Sequence, residues 1–584
     1  MQIGFKESTI FYIINNDFRE DFTMYSKIKN IQILVALLKK FDIRHLVISS
    51  GTRHVPLVNS VESDPFFTCY SVVDERSAAY FALGISKELN VPVAITCTSS
   101  TATTNYYPAI TEAFYQKIPL LVLTGDRHPY LLGQMENQMI NQVNMFKDIC
   151  KKSVNLPVVN NDDDFWYCKR LVNEALLELN HHGEGPVHIN FPIIANLREI
   201  ADASADELPD VQAIKRISPL DRENVWIEKL NDLREAKRIL VIWGMGLLVP
   251  EEVVKYVDDF AKKFNCVISV EHISNFQGVE ALETYMVAQT ITSDNFEALL
   301  IPDIVISLGG QFMSRLKDLL RIHRGKFKHW LINDEGTVVD VFKSLTDIFE
   351  CSPDFFFKYF VEYSEKSVNN REYYNMWFEQ MKKVKTQEFS FSNMYAIQKL
   401  SQGIPTKSLL HLGILNSTRI MNHFKLRKNI TVYSNIGTTG IDGSMSTFFG
   451  QSVVSNRLCF LVIGDLSFFY DMNSIKIKHL KNNIRIMMIN NGGGAEFHYS
   501  MGIKRIPTIN KYIAAEHLAK AQNWVESMGF TYITASNKHE FDEKLPQFLL
   551  TETEFPVFFE VFTDMEKDAE ILNSFYNFNK DIIN

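Results

Sequence analysis

The chain has 584 residues, 46% of them hydrophobic and 22% charged, with a formal net charge of −9. This length and balance predict about three to four globular domains with large cores. The acidic balance, with no Lys/Arg block to offset it, argues against nucleic acid as a partner, and no run approaches the roughly 18–20 apolar residues of a membrane span.

The first segment, 1–23, reads as an N-terminal extension. Met1 to Lys27 lacks the basic-then-apolar order of a secretory leader. The seven cysteines are scattered without a Cys-x-x-Cys, as expected of thiols in a reducing, cytoplasmic setting.

A first block, 24–200, alternates strand-like and helix-like patterns, the signature of parallel α/β layers. His45-Leu46-Val47-Ile48, Val93-Ala94-Ile95-Thr96 and Pro119-Leu120-Leu121-Val122-Leu123 read as buried strands. They run into Ser49-Ser50-Gly51-Thr52-Arg53, Thr98-Ser99-Ser100-Thr101 and Thr124-Gly125-Asp126-Arg127, the kind of loop that carries ligands in such folds. Ile200–Val211, acidic and rich in small residues, reads as a linker.

The second block, 215–365, has strands at Arg238–Trp243 and Ile304–Leu308. Gly244-x-Gly246 after the first is a weak dinucleotide signal, because the third glycine of the full fingerprint is missing. Residues 362–390 read as helix and linker. The third block, 391–570, looks like the first block's architecture used again.

In that third block Phe460–Ile463 is an apolar run closed by Gly464-Asp465, with the glycine read as permitting a tight turn. Asn473–Leu480 has helical character, and Ile484–Ile489 is a second apolar run ending in Asn490-Asn491. A βαβ unit of this kind brings both polar loops to one sheet edge. Asp465 and Asn491, 26 positions apart, could then meet one ion. A carboxylate and an amide oxygen suit Mg²⁺ or Ca²⁺ rather than a thiophilic metal. Gly492-Gly493-Gly494 leaves backbone groups free for the ion and a diphosphate. The plainer reading is a Gly-Asp turn and an Asn-Gly turn, both common. Glu75 opens an Ala-rich helix, where an acid also serves simply to offset the helix dipole.

Taken together, these segments resemble the thiamine diphosphate-dependent decarboxylase/carboligase superfamily, most closely the menaquinone-pathway SEPHCHC synthase family. The resemblance runs from about residue 28 to near the end. It rests on Ser50-Gly51-Thr52-Arg53, Asp74-Glu75-Arg76-Ser77-Ala78, Cys97-Thr98-Ser99, Asn105-Tyr106-Tyr107-Pro108-Ala109, Thr124-Gly125-Asp126-Arg127 and Asn137-Gln138 in the first block. In the third block it rests on Gly440-Ile441-Asp442-Gly443, Gly464-Asp465-Leu466 and Asn490-Asn491-Gly492-Gly493-Gly494.

The resemblance implies an α/β protein of three domains, with a thiamine diphosphate-binding fold used twice, for pyrimidine and diphosphate, around a central Rossmann-like domain. It implies thiamine diphosphate with Mg²⁺ (or Mn²⁺/Ca²⁺), and a homodimer or homotetramer with active sites between subunits. Glu75 would be the catalytic carboxylate acting on the aminopyrimidine ring. Ile441, Gly464, Asp465, Leu466, Asn491, Gly493 and Gly494 would bind the cofactor, with Asp465, Asn491 and Gly493 at the metal. Arg53, Arg127 and Gln138 would hold an anionic acceptor, and Arg315, Arg419 and Phe497 would lie on the substrate side. The family reaction decarboxylates 2-oxoglutarate and adds the succinyl unit to isochorismate.

The chain also departs from the family pattern. Ile436 stands where an arginine is usual; a lost charge-assisted contact to a carboxylate costs about 2–5 kcal/mol. Glu496 replaces an apolar residue beside Phe497 and is expected to repel a donor carboxylate. Arg315 replaces a lysine, Leu415 a serine, Ser100 a glycine, and His54 a small hydroxyl residue. His54 and His128 are read as hydrogen-bonded loop residues. Ile436 and Glu496 leave open a diverged enzyme using a smaller 2-oxo acid in surface-polysaccharide or secondary metabolism. A non-catalytic binding subunit is a separate alternative, against which the intact Glu75, Asp465 and Asn491 speak.

Overall fold

The computed structural model describes residues 25–194, 204–365, 367–477, 479–499 and 506–584, so the predicted extension 1–23 lies outside the described residues. The chain forms two compact units, 1–215 and 216–584.

In the first unit, β1 (Tyr25–Ser26) pairs antiparallel with a late strand. The main sheet then collects β2 (His45–Ile48), β3 (Thr68–Ser71), β4 (Val93–Cys97), β5 (Leu120–Asp126), β6 (Lys152–Asn155) and β7 (Val187–Pro192). Its order is β3-β2-β4-β5-β7-β6, with every pairing parallel. Neighbouring residues on a strand face opposite sides of a sheet. Leu46, Ala94 and Leu121 accordingly pack with helices Lys29–Lys40 and Asp162–Leu177. Val47, Ile95 and Val122 pack with helices Glu75–Leu89 and Tyr107–Gln116. Both faces being covered, β2, β4 and β5 are near-continuous apolar runs, as their sequence suggests.

Of the predicted linker, residues 200–203 lie outside the described residues. Its remainder is docked rather than free: β8 (Ser204–Ala205) is the partner of β1, and Val211 is buried in the first core.

The second unit holds two sheets. β9 (Lys215–Ile217), β10 (Ile239–Trp243), β11 (Cys266–Val270), β12 (Ala281–Leu282), β13 (Ile304–Leu308), β14 (Lys328–Ile332) and β15 (Leu345–Phe349) form a seven-stranded sheet of order β12-β11-β10-β13-β14-β15-β9. β16 (Leu409–Leu412), β17 (Thr431–Ser434), β18 (Cys459–Gly464), β19 (Ile484–Asn490), β20 (Thr531–Ala535) and β21 (Val557–Phe562) form a six-stranded one of order β17-β16-β18-β19-β21-β20. Numbered within their own sheets, the six strands of this sheet and of the first-unit sheet both follow 2-1-3-4-6-5. The same winding is used twice, and the protein is α/β with three parallel-sheet domains flanked by helices. Helix Glu372–Lys383, within the segment read as helix and linker, buries Tyr373 and Trp377 in a core shared with β10 and β13.

The Gly244-x-Gly246 signal has a packing explanation. A Cβ on Gly244 would lie 2.0 Å from the Gly310 carbonyl oxygen, and Gly310 N–H bonds the Met245 carbonyl at 2.8 Å. The glycine lets the loops after β10 and β13 touch, with no nucleotide needed. Gly244→Ala is expected to cost about 1–3 kcal/mol through overpacking against rigid backbone. Gly246→Ala, whose Cβ would meet nothing closer than 3.8 Å among the described residues, should change little. Denaturant unfolding of the two variants side by side measures the contrast.

Candidate active site

The first-unit residues follow the carboxyl ends of β2, β3, β4 and β5. Asp74 caps helix Glu75–Leu89, its Oδ1 accepting the Ser77 N–H at 2.8 Å. That places half-buried Glu75 as the first helical residue, where Asn105 Nδ2 donates to its Oε2 at 3.1 Å. Asn105 orients this carboxylate, a role its motif did not reveal.

Gly51 and Gly125 close the loops onto one another. A Cβ on Gly51 would fall 2.3 Å from Thr98 Cβ, and one on Gly125 2.7 Å from the Arg53 carbonyl oxygen. The packing draws Arg53 and Arg127 together. Burial, and then the Arg127 charge, hold the Arg53 pKa below its ordinary value. Arg127 Nη1 donates to Glu136 Oε1 at 3.0 Å. The Nε–H groups of both arginines are buried without a partner among the described residues. Unmet buried donors are costly unless a ligand completes them, so this corner suits an anion.

Gln138 lies against the neighbouring loop, its carbonyl accepting Ser99 Oγ–H at 3.0 Å and its Nε2 donating to the Ser99 carbonyl at 3.3 Å. Ser100, standing where a glycine is usual, has φ of +76°, a region that favours glycine; its N–H is held by Gln142 Oε1 at 2.8 Å. His54 is buried 3.0 Å from Thr96 Oγ1, and burial pushes its imidazole down to about 4. His128 Nδ1 accepts the Tyr130 N–H. Both are hydrogen-bonded loop residues.

In the second unit the ends of β18 and β19 meet around Asp465, which is 2% exposed. Asp465 Oδ2 accepts the N–H groups of Asn491, Gly492 and Gly493 at 3.0, 2.8 and 3.1 Å, and Oδ1 accepts that of Leu466 at 2.7 Å. The Asp465 carboxylate also holds the His517 imidazole, 3.4 Å away, above its ordinary pKa.

Two local expectations change. The helix starts at Asp465 itself (Asp465–Tyr470), and of the stretch predicted helical at Asn473–Leu480, residues Asn473 to Lys476 lie in the 3₁₀ turn Met472–Lys476. Gly464 does not serve a tight turn: its backbone is extended (φ −79°, ψ 158°). Among the described residues nothing lies within 4 Å of where its Cβ would be, so the missing side chain leaves room beside Asp465. Gly493 is different, with φ of +153° and a would-be Cβ 2.7 Å from the Ala514 carbonyl oxygen.

Asp568, on helix Met565–Ile583, is the main residue that sequence reasoning missed. It is fully buried, and its Oδ2 accepts Asn491 Nδ2–H at 3.0 Å and the Thr563 hydroxyl at 2.7 Å. Its Oδ1 accepts the Asn393 N–H at 2.9 Å. Burial, opposed by these bonds, pushes its carboxyl up to about 6. By fixing the amide nitrogen of Asn491, Asp568 turns the amide oxygen the other way, as an oxygen donor. Asp465 and Asn491 thus form a hard-oxygen set that fits a divalent ion carrying a diphosphate.

Ile441 is 37% exposed on a neighbouring loop. Its carbonyl accepts the Ser467 hydroxyl at 2.6 Å, which ties the loop to the Asp465 helix. Phe497 packs over Gly494, where a Cβ would lie 2.8 Å from its ring.

Arg419 lies on helix Asn416–Met421. Its Nη1 and Nη2 donate to the two carboxylate oxygens of Glu496, and Nη1 also to Asn416 Oδ1 at 2.7 Å. Its Cζ is 5.2 Å from the Tyr499 ring centroid. Burial lowers the Arg419 pKa, but Glu496 outweighs it and holds it above the ordinary value. Glu496 is therefore not the free, repelling charge its position suggested. Arg315 Nη1 donates to the Ile291 carbonyl at 2.9 Å, and its charge reaches Tyr499, as do those of Arg419 and Glu496. Ile436 is fully buried in the apolar cluster of Met421, Val432 and Ile489 and fills core rather than facing a ligand.

Residues 29–145 match the family described as "Thiamine pyrophosphate enzyme, N-terminal TPP binding domain". With the duplicated winding and the oxygen set at Asp465, this defines a thiamine diphosphate-dependent enzyme whose cofactor is held with a divalent metal.

Named relatives narrow the class. The chain is 40% identical over 571 residues to the 2-succinyl-5-enolpyruvyl-6-hydroxy-3-cyclohexene-1-carboxylate synthase of Bacteroides fragilis, covering 95% of this chain and 99% of that one. It is 41% identical over 564 residues to the enzyme of that name from Bacteroides thetaiotaomicron, with the same coverage. The one from Flavobacterium psychrophilum is 33% identical over 571 residues, covering 95% and 100%. The chain belongs to the SEPHCHC synthase family.

Proposed function

We propose that this chain decarboxylates 2-oxoglutarate and adds the resulting succinyl unit to isochorismate, the carboligation of menaquinone biosynthesis. The observation that carries the reading is its alignment with synthases of that name over 95% of its length. We further place it in the cytoplasm as a homodimer or homotetramer whose active sites take Glu75 from one copy and Asp465 from another.

In this reading Glu75, steadied by Asn105, hydrogen-bonds the cofactor's aminopyrimidine. Asp465 and Asn491, with Gly493, hold the divalent ion. Gly464, Leu466 and Gly494 would frame the diphosphate, and Ile441 would lie against the cofactor. Bound thiamine diphosphate supplies a carbon nucleophile and an electron sink for the decarboxylation.

The chain's own cations take the charges of the reactants. Arg53 and Arg127 present unmet N–H donors to the acceptor's carboxylates, with Gln138 beside them. Arg315, Arg419 and Phe497 line the donor side. Guanidinium groups suit carboxylates because their planar fork bonds both oxygens.

The test is product formation by mass spectrometry with 2-oxoglutarate, isochorismate, thiamine diphosphate and Mg²⁺. The expected result is carbon dioxide release that rises sharply when isochorismate is added, together with the carboligated product. Release indifferent to isochorismate, with no such product, would overturn the reading.

A further inference from the structure

Both terminal nitrogens of Arg419 are committed to Glu496. The pair is largely withdrawn from solvent, with side chains 16% and 25% exposed, and the guanidinium rests near the Tyr499 ring. An arriving carboxylate pairing end-on with this arginine would use those same two N–H groups. It cannot form that contact while Glu496 occupies them, and beside Glu496 it meets a like charge in a poorly screened site. Arg419 without any partner would be a buried cation, a costly state.

Resting on the donor assignment above, we propose that Glu496 is a built-in stand-in for the donor's distal carboxylate, and that the donor binds by exchanging its own carboxylate for that of Glu496 on Arg419. Arg419 is then paired both before and after binding. A 2-oxo acid with an uncharged tail has nothing to exchange, leaves the fork closed, and finds a carboxylate where its tail would lie. Glu496 selects dicarboxylic donors by obstructing the others, and the selection lowers affinity for the correct one. Discrimination by an obstructing group is a general route to specificity.

Calorimetry on the holoenzyme tests this with glutarate, a non-reacting dicarboxylate of the donor's length, and with pentanoate, which lacks the second carboxylate. If the fork is closed about nine-tenths of the time, Glu496→Gln should tighten glutarate by about tenfold and pentanoate, relieved of the obstructing carboxylate, by more. The glutarate gain should vanish in the double variant Arg419→Gln/Glu496→Gln. Glutarate binding no tighter, or weaker, in Glu496→Gln overturns the proposal and makes Glu496 a support for Arg419.

Should the variant fail to fold, a crystal structure of the wild-type holoenzyme with glutarate decides. Glutarate forked onto Arg419 with Glu496 displaced upholds exchange, and an intact Arg419–Glu496 pair overturns it. The donor and acceptor assignment fails separately, on the isochorismate product assay.

Discussion

Glu75→Gln is expected to lower turnover by about 10²–10⁴-fold, the range contributed by a positioned proton-transfer group, while cofactor affinity changes little. Glutamine keeps the volume of the side chain and its place in the first helical turn. The Asp74 cap, which bonds Ser77 N–H at 2.8 Å, is untouched, so the fold has no reason to shift. What is lost is the anionic acceptor that Asn105 holds in place from 3.1 Å. Asn105→Ala should give a smaller loss, because the carboxylate stays but is no longer fixed. Steady-state turnover together with calorimetric titration of thiamine diphosphate separates the two effects. Full activity in Glu75→Gln would remove Glu75 from the chemistry.

Much of this was legible in the chain because parallel strands buried on both faces are near-continuous apolar runs. β2, β4, β10, β13 and β19 fall on the runs that the sequence marks. The Gly464-Asp465 and Asn490-Asn491 pairs are local motifs, and the crossover topology brings them to one edge. What escaped was long-range pairing. Asp568 is 77 positions from Asn491, and Glu496 is 77 from Arg419. No local spacing announces either contact. Glu496 read singly is a misplaced acid, and beside Arg419 it is half of a fork. Glycine misled in both directions. Gly244 is demanded by a touching backbone rather than a nucleotide, whereas Gly464 is not demanded by the chain's own packing at all. The helix predicted at Asn473–Leu480 starts instead at Asp465, whose carboxylate turns back to accept the N–H of Leu466.

Asp465→Ala should be the most damaging change at the metal end, because it removes two things at once. Four backbone N–H groups, those of Leu466, Asn491, Gly492 and Gly493, lose their acceptor. Leaving a buried donor unmet costs about 1–3 kcal/mol, so the apo-protein should lose at least about 3 kcal/mol in a denaturant melt even if water replaces some bonds. The charge that would hold the ion is lost as well. Asp465→Asn separates the two, since an amide oxygen can still accept the loop N–H groups. Its stability should stay closer to wild type, while Mg²⁺-dependent binding of thiamine diphosphate falls by more than about 100-fold, beyond the 10–100-fold typical of groups that only orient a ligand. Asp568→Asn belongs to that milder range. It leaves Asp465 intact but removes the negative charge that fixes Asn491 Nδ2, so the amide can turn and withdraw its oxygen. Calorimetric titration of the cofactor at several Mg²⁺ concentrations ranks the three variants. Wild-type metal dependence in Asp568→Asn would mean that the Asn491 amide is held by something other than this buried carboxylate, or that its oxygen does not meet the ion.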